Sequence, residues 1–332
     1  MKFPRCSDIK TSNNIHKPHL LPKFTPENKI PFPPAMKKLF ILFLLASVST
    51  FAQENFVWWN DIHQWDGHST WVSYMKISTA FMGPNALPVP DVSKAENDST
   101  MQFELAGDYH YNKGDHTRDI FTRAYVPMKN ALIAFSIDYI PIEWYNTDTI
   151  VRDLRAARTR SGKGRANGDV YLTSYIQLFR DRKVIPDLSL RVAFRTASGN
   201  DLRDVRYSDG PGYYFDVSAG RTIKPAGDNF RVRFYAMTGF YVYQTFDLQH
   251  LQNDCFMYGG GVRLSYKKIS LEEEVAGYNG YMSDGDKPMV WRNTLCFSEK
   301  RINYKISFQK ALHDFPSDRI RVGVVWKMRS KW

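Results

Sequence analysis

Hydrophobic and polar residues alternate with a period of two over most of the chain after residue 100. In the segment MQFELAGDYHYN (101–112), Phe103 and Leu105 fall on one face, and Glu104 and Asp108 fall on the other. The same alternation recurs in three further segments, DLSLRVAFRT (187–196), RVRFYAMTGFYVY (231–243) and RINYKISFQ (301–309). Alternation with period two is typical of β-strands with two different faces. The pattern therefore predicts strands rather than helices.

The predicted strands are long, at about ten residues or more, whereas strands of soluble proteins average roughly five to six and strands that cross a membrane need about 9–11. Twelve strands are predicted, near 101–112, 118–127, 131–142, 168–180, 187–197, 212–222, 229–244, 255–266, 268–279, 289–298, 301–311 and 319–328. These features predict an all-β fold, an antiparallel transmembrane β-barrel of about 12 strands, with 14 as the alternative count. A secreted β-sandwich or solenoid is the rival architecture.

The connections between the predicted strands alternate in length from residue 127 onward. PMKNA, RDRKVIPD, TIKPAGDN and the links near Lys267 and Lys300 are short or moderate, whereas YNTDTIVRDLRAARTRSGKGRANG and SGNDLRDVRYSDGPG are long and polar. Membrane barrels keep short turns on the periplasmic side and longer loops outside. The Trp-rich segment 53–100 lacks this organisation, so we expect either a plug or an extra strand there, and the barrel proper over 101–332.

The stretch MKKLFILFLLASVSTFAQ (36–53) has the layout of a secretory signal peptide. Two lysines precede a short apolar run, and small residues lead to an expected cut near Ala52–Gln53. Residues 1–35 are rich in proline and have no apolar period, which predicts a disordered stretch translated from upstream of a true start at Met36. A signal anchor or a cytoplasmic extension is the alternative. We expect residues 36–52 to be removed and the mature chain to reach the outer membrane of a Gram-negative bacterium.

Charge and cysteine content change the picture once the leader is set aside. Residues 1–52 hold eight Lys and Arg against two Asp and Glu, so the formal charge falls from +11 to +5 without them. Nucleic-acid binding loses its main support, because the high pI comes partly from the leader. Cys255 and Cys296 remain, and two cysteines make no disulfide framework. We predict two unpaired thiols in strands that are not neighbours.

The face opposite the apolar one carries the clearest functional signal, a set of charged residues predicted to line the lumen. They are Arg123, Arg191, Arg195, Arg231, Arg233, Arg263, Arg292, Lys305 and Arg321, with Glu104, Asp108, Asp138, Asp216, Glu272 and Glu274. Barrels of eight strands have filled interiors and barrels of 16–18 strands leave an aqueous channel. Twelve strands allow either a narrow passage with mild anion preference or a closed, salt-bridged interior.

A basic cluster falls in the long connection after the third predicted strand. Its members are Arg152, Arg155, Arg158, Arg160, Lys163 and Arg165. Guanidinium groups recognise phosphates well, so this loop is expected either to face the phosphates of lipopolysaccharide or to be merely solvated.

Other candidate chemistry is weak. His63, Asp66 and His68 lie close together, but their spacing matches no dedicated zinc motif, so no metal is expected. Some outer-membrane barrels are lipid hydrolases with Ser and His on the outward face, but the alternation places no Ser–His pair on the outward face of this chain. We therefore expect no cofactor, no catalytic residue and no enzyme activity.

The stretch 168–222, with GDVYLTSYIQLF, PDLSLRVAFRTASGND and GPGYYFDVSAGRTI, resembles the MetA-pathway barrels of phenol degradation. That resemblance implies an outer-membrane barrel, similar to a transporter, that passes small and often apolar molecules. The C-terminus, with apolar Val324, Trp326 and Met328 before Trp332, resembles the signal read by the barrel-insertion machinery. Outer-membrane lipids are the other expected partners, and the oligomeric state stays open.

These observations favour passive passage of small solutes through a narrow charged lumen. The alternative is a closed structural or interaction barrel whose outer loops bind a partner or lipopolysaccharide. Mutually paired charges, or residues 53–100 inside the barrel, would favour the closed protein. An unpaired row of arginines beside a continuous opening would favour the pore.

Overall fold

The computed structural model describes residues 55–225 and 227–328, so the predicted signal peptide and the upstream stretch lie outside the described residues. Two short helices occur, α1 (Val57–His63) and α2 (Thr149–Leu154). None of the helices in the described ranges is long and apolar enough to cross a membrane. Besides three short 3₁₀ helices, the described residues form thirteen strands: β1 (Met101–Asn112), β2 (Asp115–Met128), β3 (Ile133–Thr147), β4 (Lys163–Ala166), β5 (Tyr171–Phe179), β6 (Asp187–Arg195), β7 (Gly212–Ile223), β8 (Phe230–Gln244), β9 (Gln252–Tyr266), β10 (Ile269–Asn279), β11 (Met289–Ser298), β12 (Ile302–His313) and β13 (Asp318–Met328).

Twelve of these strands close into an antiparallel barrel. Each strand pairs with its neighbour in the chain, except that β3 pairs with β5, and β1 pairs with β13 to complete the ring. The short strand β4 adds to the far end of β3, where Glu143 lies opposite Ala166. Closure removes free sheet edges, which is what lets a sheet cross a hydrocarbon layer. The predicted barrel of about twelve strands is confirmed.

The two faces of the wall differ as the alternation predicts. Outward side chains remain largely exposed, at 57% for Phe194, 55% for Ile306 and 57% for Val322, while the inward Arg195 is 2% exposed. Such an apolar exterior around a polar interior is the pattern of outer-membrane barrels. Glu273 is a charged residue on the otherwise apolar outward face. Its carboxylate accepts hydrogen bonds from the indole of Trp291 and from the side-chain amide of Asn293.

The two ends of the barrel are unequal. The connections 129–132, 180–186, 224–229, 267–268 and 299–301 lie at one end, which also holds the start of β1 and the end of β13. The longer connections 148–170 and 196–211 lie at the other end, together with 245–251, 280–288 and 314–317. We call these the short-turn end and the long-loop end, and they reproduce the predicted alternation.

Residues 75–98 pass through the interior of the barrel, and we call them the luminal segment. Met75 and Ile77 lie beside the long-loop end, since Ala80 donates its backbone N–H to the carbonyl of Gly285. The side chain of Asn97 reaches the carbonyl of Ala131 at the short-turn end. Most residues between are buried and none belongs to a strand. The chain thus enters from the long-loop end and reaches β1 at the opposite end.

Residues 55–74 form an N-terminal cap over the long loops. Trp59 is fully buried, and its indole N–H donates to the carbonyl of Ala156 at 3.1 Å. The guanidinium of Arg158 lies 4.0 Å from the ring centre of Phe56 and 5.4 Å from that of Trp71. Cation–π contacts of this kind hold an arginine without a carboxylate. The cap therefore fastens the beginning of the described chain to the loop after β3.

Candidate functional site in the lumen

Most of the predicted luminal charges are paired along the wall. Arg191 donates to Asp216 at 2.6 Å, directly across the β6–β7 ladder. Three more pairs join neighbouring strands in the same way: Arg123–Asp138, Arg263–Glu272 and Arg321–Asp108. Lys305 of β12 reaches across β13 to Glu104 of β1. Pairing that is bidentate, as in Arg321–Asp108, is the strong form of a charge-assisted hydrogen bond. These cations neutralise their partners and are not an unpaired row.

Three arginines hold the luminal segment instead. Arg195 donates to the carbonyl of Ala86 at 2.6 Å, and Arg233 donates to the carbonyl of Lys94 at 3.0 Å. Arg292 donates to the carbonyl of Pro90 at 3.2 Å. Backbone carbonyls accept such bonds whatever the side chain, so these three contacts hold the segment through its main chain, while Asn85, Lys94 and Asn97 add side-chain contacts. The wall and the segment form one hydrogen-bonded interior.

The two remaining predicted luminal residues have different surroundings. Arg231 lies at the start of β8 and is exposed at the short-turn end. Glu274 is buried, 3.8 Å from the guanidinium of Arg292, and accepts a long hydrogen bond of 3.4 Å from Tyr235. Asp91 of the luminal segment lies 3.7 Å from Arg292 and 3.7 Å from Arg123. It adds a carboxylate to the lumen that the strand pattern does not reveal.

A second polar cluster, which the sequence analysis did not identify, lies at the long-loop end. Arg206, fully buried, donates to Glu143 at 2.7 Å and to Asp115 at 3.1 Å. Asn85 of the luminal segment and Tyr207 both donate to the other oxygen of Glu143. The loop after β6, the strands β2 and β3, and the luminal segment therefore meet in one network. We call these five residues the outer network.

A group of ligand-type residues lies beside it. Asp108, His110 and Asp119 are buried and offer atoms within 4.8 Å of one another. However, Asp108 already accepts two bonds from Arg321, and Asp119 accepts from both His110 and Asn85. A divalent cation would have to displace an arginine that already balances the charge. The group fits a hydrogen-bonded network better than a metal site.

A cavity of about 100 Å³ remains between the luminal segment and one side of the wall. At roughly 10–15 Å³ for each water position, it has room for several waters or a small solute. Pro88 and Asp91 of the luminal segment, Arg123 and Arg319 of the wall, and Tyr207 of a long loop are among its lining residues. Charged and aromatic side chains thus line one partly open cavity.

The predicted basic loop is divided between inside and outside. Arg155 is buried and donates to Asp115 at 2.6 Å, while Arg152 donates to Asp153 and to the carbonyl of Arg160. Arg158 packs on the aromatic rings of the cap. The exposed members of the cluster are Arg160, Lys163 and Arg165. The surface available to an anionic partner is therefore smaller than the sequence suggests.

The His63–Asp66–His68 group of the cap has an explanation without a metal. The carboxylate of Asp66 accepts hydrogen bonds from the backbone N–H groups of His68 and Ser69 at 2.9 and 2.7 Å. The hydroxyl of Ser69, and then these backbone groups, hold the pKa of Asp66 at about 2. Aspartate commonly closes a turn in this way. The residue organises the chain between α1 and the following turn.

Within the described ranges, both cysteines, Cys255 and Cys296, are free and buried. Cys255 lies opposite Tyr241 near the long-loop end, and Cys296 lies opposite Ser270 near the short-turn end. Their strands, β9 and β11, are separated by β10. The positions agree with the register from which two unpaired thiols were predicted.

No protein-family model matches this chain, and no curated protein sequence is significantly similar to it. Among solved structures, it is similar to the KdgM porin, with 10% identity and a TM-score of 0.42 over 68% of this chain and 99% of that one. An outer-membrane channel from Pseudomonas putida F1 gives 14% identity and a TM-score of 0.45 over 74% and 98% of the two chains. The CymD monoaromatic hydrocarbon channel gives 7% identity and a TM-score of 0.36 over 77% and 100%. All three are barrels, and the resemblance to the MetA-pathway family stays a prediction.

Proposed function

We propose that this protein is an outer-membrane β-barrel that admits small solutes to a charged lumen and that the luminal segment controls their passage. The observation that supports this most is how residues 75–98 are held. They fill the interior, yet they are bound by side-chain hydrogen bonds and not by strand pairing. Displacing the segment would leave the barrel ladder intact.

The strength of these contacts decides the resting state. A hydrogen bond to a charged group contributes about 1.5–3 kcal/mol, and three wall arginines bind carbonyls of the segment. These bonds alone put the cost of opening at several kcal/mol, and the burial of Met82, Leu87 and Val92 against the inner wall adds to it. The open form is therefore a minor population at rest. The protein should behave as a gated barrel of low activity and not as a permanently open porin.

A closed barrel with a structural or interaction role is the second candidate. It is favoured by the paired wall charges and by the filled interior, the two features that distinguish a closed lumen from an open one. In that case the exposed basic residues Arg160, Lys163 and Arg165 would meet a partner or lipopolysaccharide. The two candidates differ in whether the luminal segment ever moves aside.

A reversible disulfide between the luminal segment and the barrel wall distinguishes the two candidate functions. Ser93 of the luminal segment and Ser189 of β6 have hydroxyl oxygens 3.4 Å apart. Replacing both by cysteine places two thiols near the separation that a disulfide requires. Single-channel conductance of the refolded chain 53–332 in a planar bilayer is then recorded under oxidising and reducing conditions, with each single cysteine variant as the matched control.

Gated passage predicts discrete conductance steps in the wild type, loss of the steps in the oxidised double variant, and their return with reductant. Steps that persist in the oxidised double variant would show that solutes pass beside a stationary segment. Silence of a folded wild-type protein would instead support the closed barrel.

A further inference from the structure

Arg319 differs from the other arginines that line the cavity beside the luminal segment. Arg123 and Arg321 each make two hydrogen bonds to a carboxylate. The nearest carboxylate oxygen to Arg319 belongs to Asp108, 3.9 Å away, and that oxygen already accepts from Arg321. Within the described ranges, the Nε of Arg319 has no hydrogen-bond partner. Arg292 also lines the cavity without a hydrogen bond to a carboxylate, but it donates to Gln309 and to the carbonyls of Val89 and Pro90. Among the described arginines of the cavity, Arg319 is therefore the one whose Nε has neither kind of acceptor.

The same cavity has unsatisfied polar groups of the opposite kind. One carboxylate oxygen of Asp169 is buried and accepts no hydrogen bond in the described part of the chain, although it lies 3.7 Å from the guanidinium of Arg195. The buried hydroxyl of Tyr171 makes no hydrogen bond of ordinary geometry there, and the hydroxyl of Tyr241 lies beside it. The other oxygen of Asp169 accepts from the backbone of Gly199 at 2.7 Å. Buried polar atoms without partners cost free energy, and both residues line the cavity. A ligand that donates hydrogen bonds at this side would satisfy them.

Much of the remaining lining is apolar or aromatic, beside the polar residues Asn85, His110 and Gln309. Phe121, Tyr139 and Phe315 line the cavity together with Pro88 and Pro90 of the luminal segment. Such walls favour a ligand with a carbon skeleton over a bare inorganic anion. A multiply charged anion is disfavoured further, because the carboxylates of Asp91, Asp138 and Asp169 line the same space.

We propose that this cavity binds a small monocarboxylate that also carries hydroxyl groups. Its carboxylate would pair with Arg319, and its hydroxyls would donate to Asp169 and interact with Tyr171. The proposal deepens the proposed function, since it rests on the barrel admitting solutes and names the class that it admits. Binding itself requires only that the cavity be reached from the long-loop end.

Three molecules with three carbon atoms each separate the contributions. Glycerate has the carboxylate and two hydroxyls, propionate lacks the hydroxyls, and glycerol lacks the carboxylate. Binding of each to the refolded chain in detergent micelles is measured by ligand-observed nuclear magnetic resonance at millimolar concentrations. Because no membrane separates two compartments, this measurement does not depend on passage, and conductance reports passage separately.

Two conservative variants and a control complete the test. Arg319→Gln removes the charge but keeps a polar side chain, and Asp169→Asn keeps the oxygen that accepts from Gly199. Arg231→Gln is the control, because Arg231 is exposed at the other end of the barrel. We expect glycerate to bind at least tenfold more tightly than propionate or glycerol. Arg319→Gln should weaken glycerate binding about tenfold, Asp169→Asn should weaken it severalfold, and the control should change nothing.

Equal binding of all three molecules, no binding of any of them, or unchanged glycerate affinity in Arg319→Gln would overturn the proposal. If Arg319→Gln fails to refold, Asp169→Asn with the three-molecule comparison decides alone. Glycerate that binds a barrel without conductance would leave the site standing and reject gated passage. Conductance without selective glycerate binding would support gated passage and reject the proposed binding site.

Discussion

The outer network offers the most quantitative prediction. Arg206 is fully buried and joins the loop after β6 to Glu143 of β3 and to Asp115 and Thr117 of β2. Replacing it by methionine keeps much of the volume and removes every charged hydrogen bond. Breaking a buried ion pair by removing one partner typically costs about 3–5 kcal/mol, because the other charge stays buried.

The surrounding contacts place the cost toward the lower end of that range. Asp115 keeps Arg155 at 2.6 Å, so it is not left without a cation. Glu143 keeps hydrogen bonds from Asn85 and Tyr207 to one oxygen and loses the only described bond to the other. We therefore expect Arg206→Met to lower the free energy of unfolding by about 3 kcal/mol.

The assay is equilibrium unfolding in urea, followed by tryptophan fluorescence of the protein refolded in detergent. Arg206→Met, Glu143→Gln and the double variant form a thermodynamic cycle with the wild type. Because the two side chains touch, their coupling energy should be about 1–3 kcal/mol, and the double variant should be less destabilised than the two single effects added together. Arg160→Gln, at an exposed position of a long loop, is the control and should stay within about 0.5 kcal/mol.

A loss below about 1 kcal/mol in Arg206→Met, or additive single effects, would refute this reasoning. Such a result would mean that the outer network is hydrated and that the long loops are not fastened over the lumen through buried charge.

Three further predictions concern the path and packing of the luminal segment and its cap. A cysteine at Val57 should react with an impermeant maleimide on intact cells, because the cap lies at the long-loop end, which faces outward in membrane barrels. A cysteine at Lys267, in a short turn at the opposite end, should not react. Equal labelling of the two cysteines would contradict this orientation. Gly259→Val should lower the free energy of unfolding by about 1–3 kcal/mol, because even a Cβ at Gly259 would lie 2.9 Å from a methyl of Val92. Gly260→Ala is the control and should be nearly neutral, because its Cβ would meet nothing closer than 3.5 Å. The pKa of Asp66, which closes a turn, is lowered to about 2 from its ordinary value of 3.8. Its contribution to the stability of the turn should therefore be complete above pH 3.8 and be lost as the pH falls through about 2. Amide hydrogen exchange across residues 66–69 measures this, and protection already lost at about pH 5 would contradict it.

The barrel could be predicted because a two-faced strand leaves a regular mark on the sequence. Most outward side chains are apolar and the charged side chains of the wall mostly face inward, so alternation records the fold directly. The charged pairs Arg191–Asp216 and Arg123–Asp138 follow from the same rule, since their members lie directly opposite each other in the ladders.

Alternation does not reveal the inward position of Glu143 in the outer network, because a β-bulge interrupts β3. Thr122 pairs with Tyr139 but Ile120 pairs with Ile142, so β3 has one extra residue near Pro141 and its parity reverses. Asp138 and Glu143 both face inward even though strict alternation places them on opposite faces. A proline within a predicted strand was the available signal, because proline in a sheet marks an edge or a bulge.

The luminal segment was expected only as one of two alternatives, for a different reason. Much of its attachment to the wall runs through the carbonyls of Ala86, Pro90 and Lys94. Main-chain acceptors are the same for every residue type, so this recognition leaves no periodic mark. What the sequence does show is the absence of alternation in 53–100, which is consistent with an irregular chain surrounded by a polar wall.

The central claim is that the luminal segment occupies the lumen against β6. The most direct measurement is disulfide formation in isolated outer membranes between cysteines placed at Ser93 and Ser189, with peptides identified by mass spectrometry. Ser93 paired with Ser174, which lies on the outward parity of β5, is the control. We predict a near-complete 93–189 disulfide and no 93–174 disulfide. Absence of the 93–189 bond from a folded barrel, or equal yields for both pairs, would contradict the account.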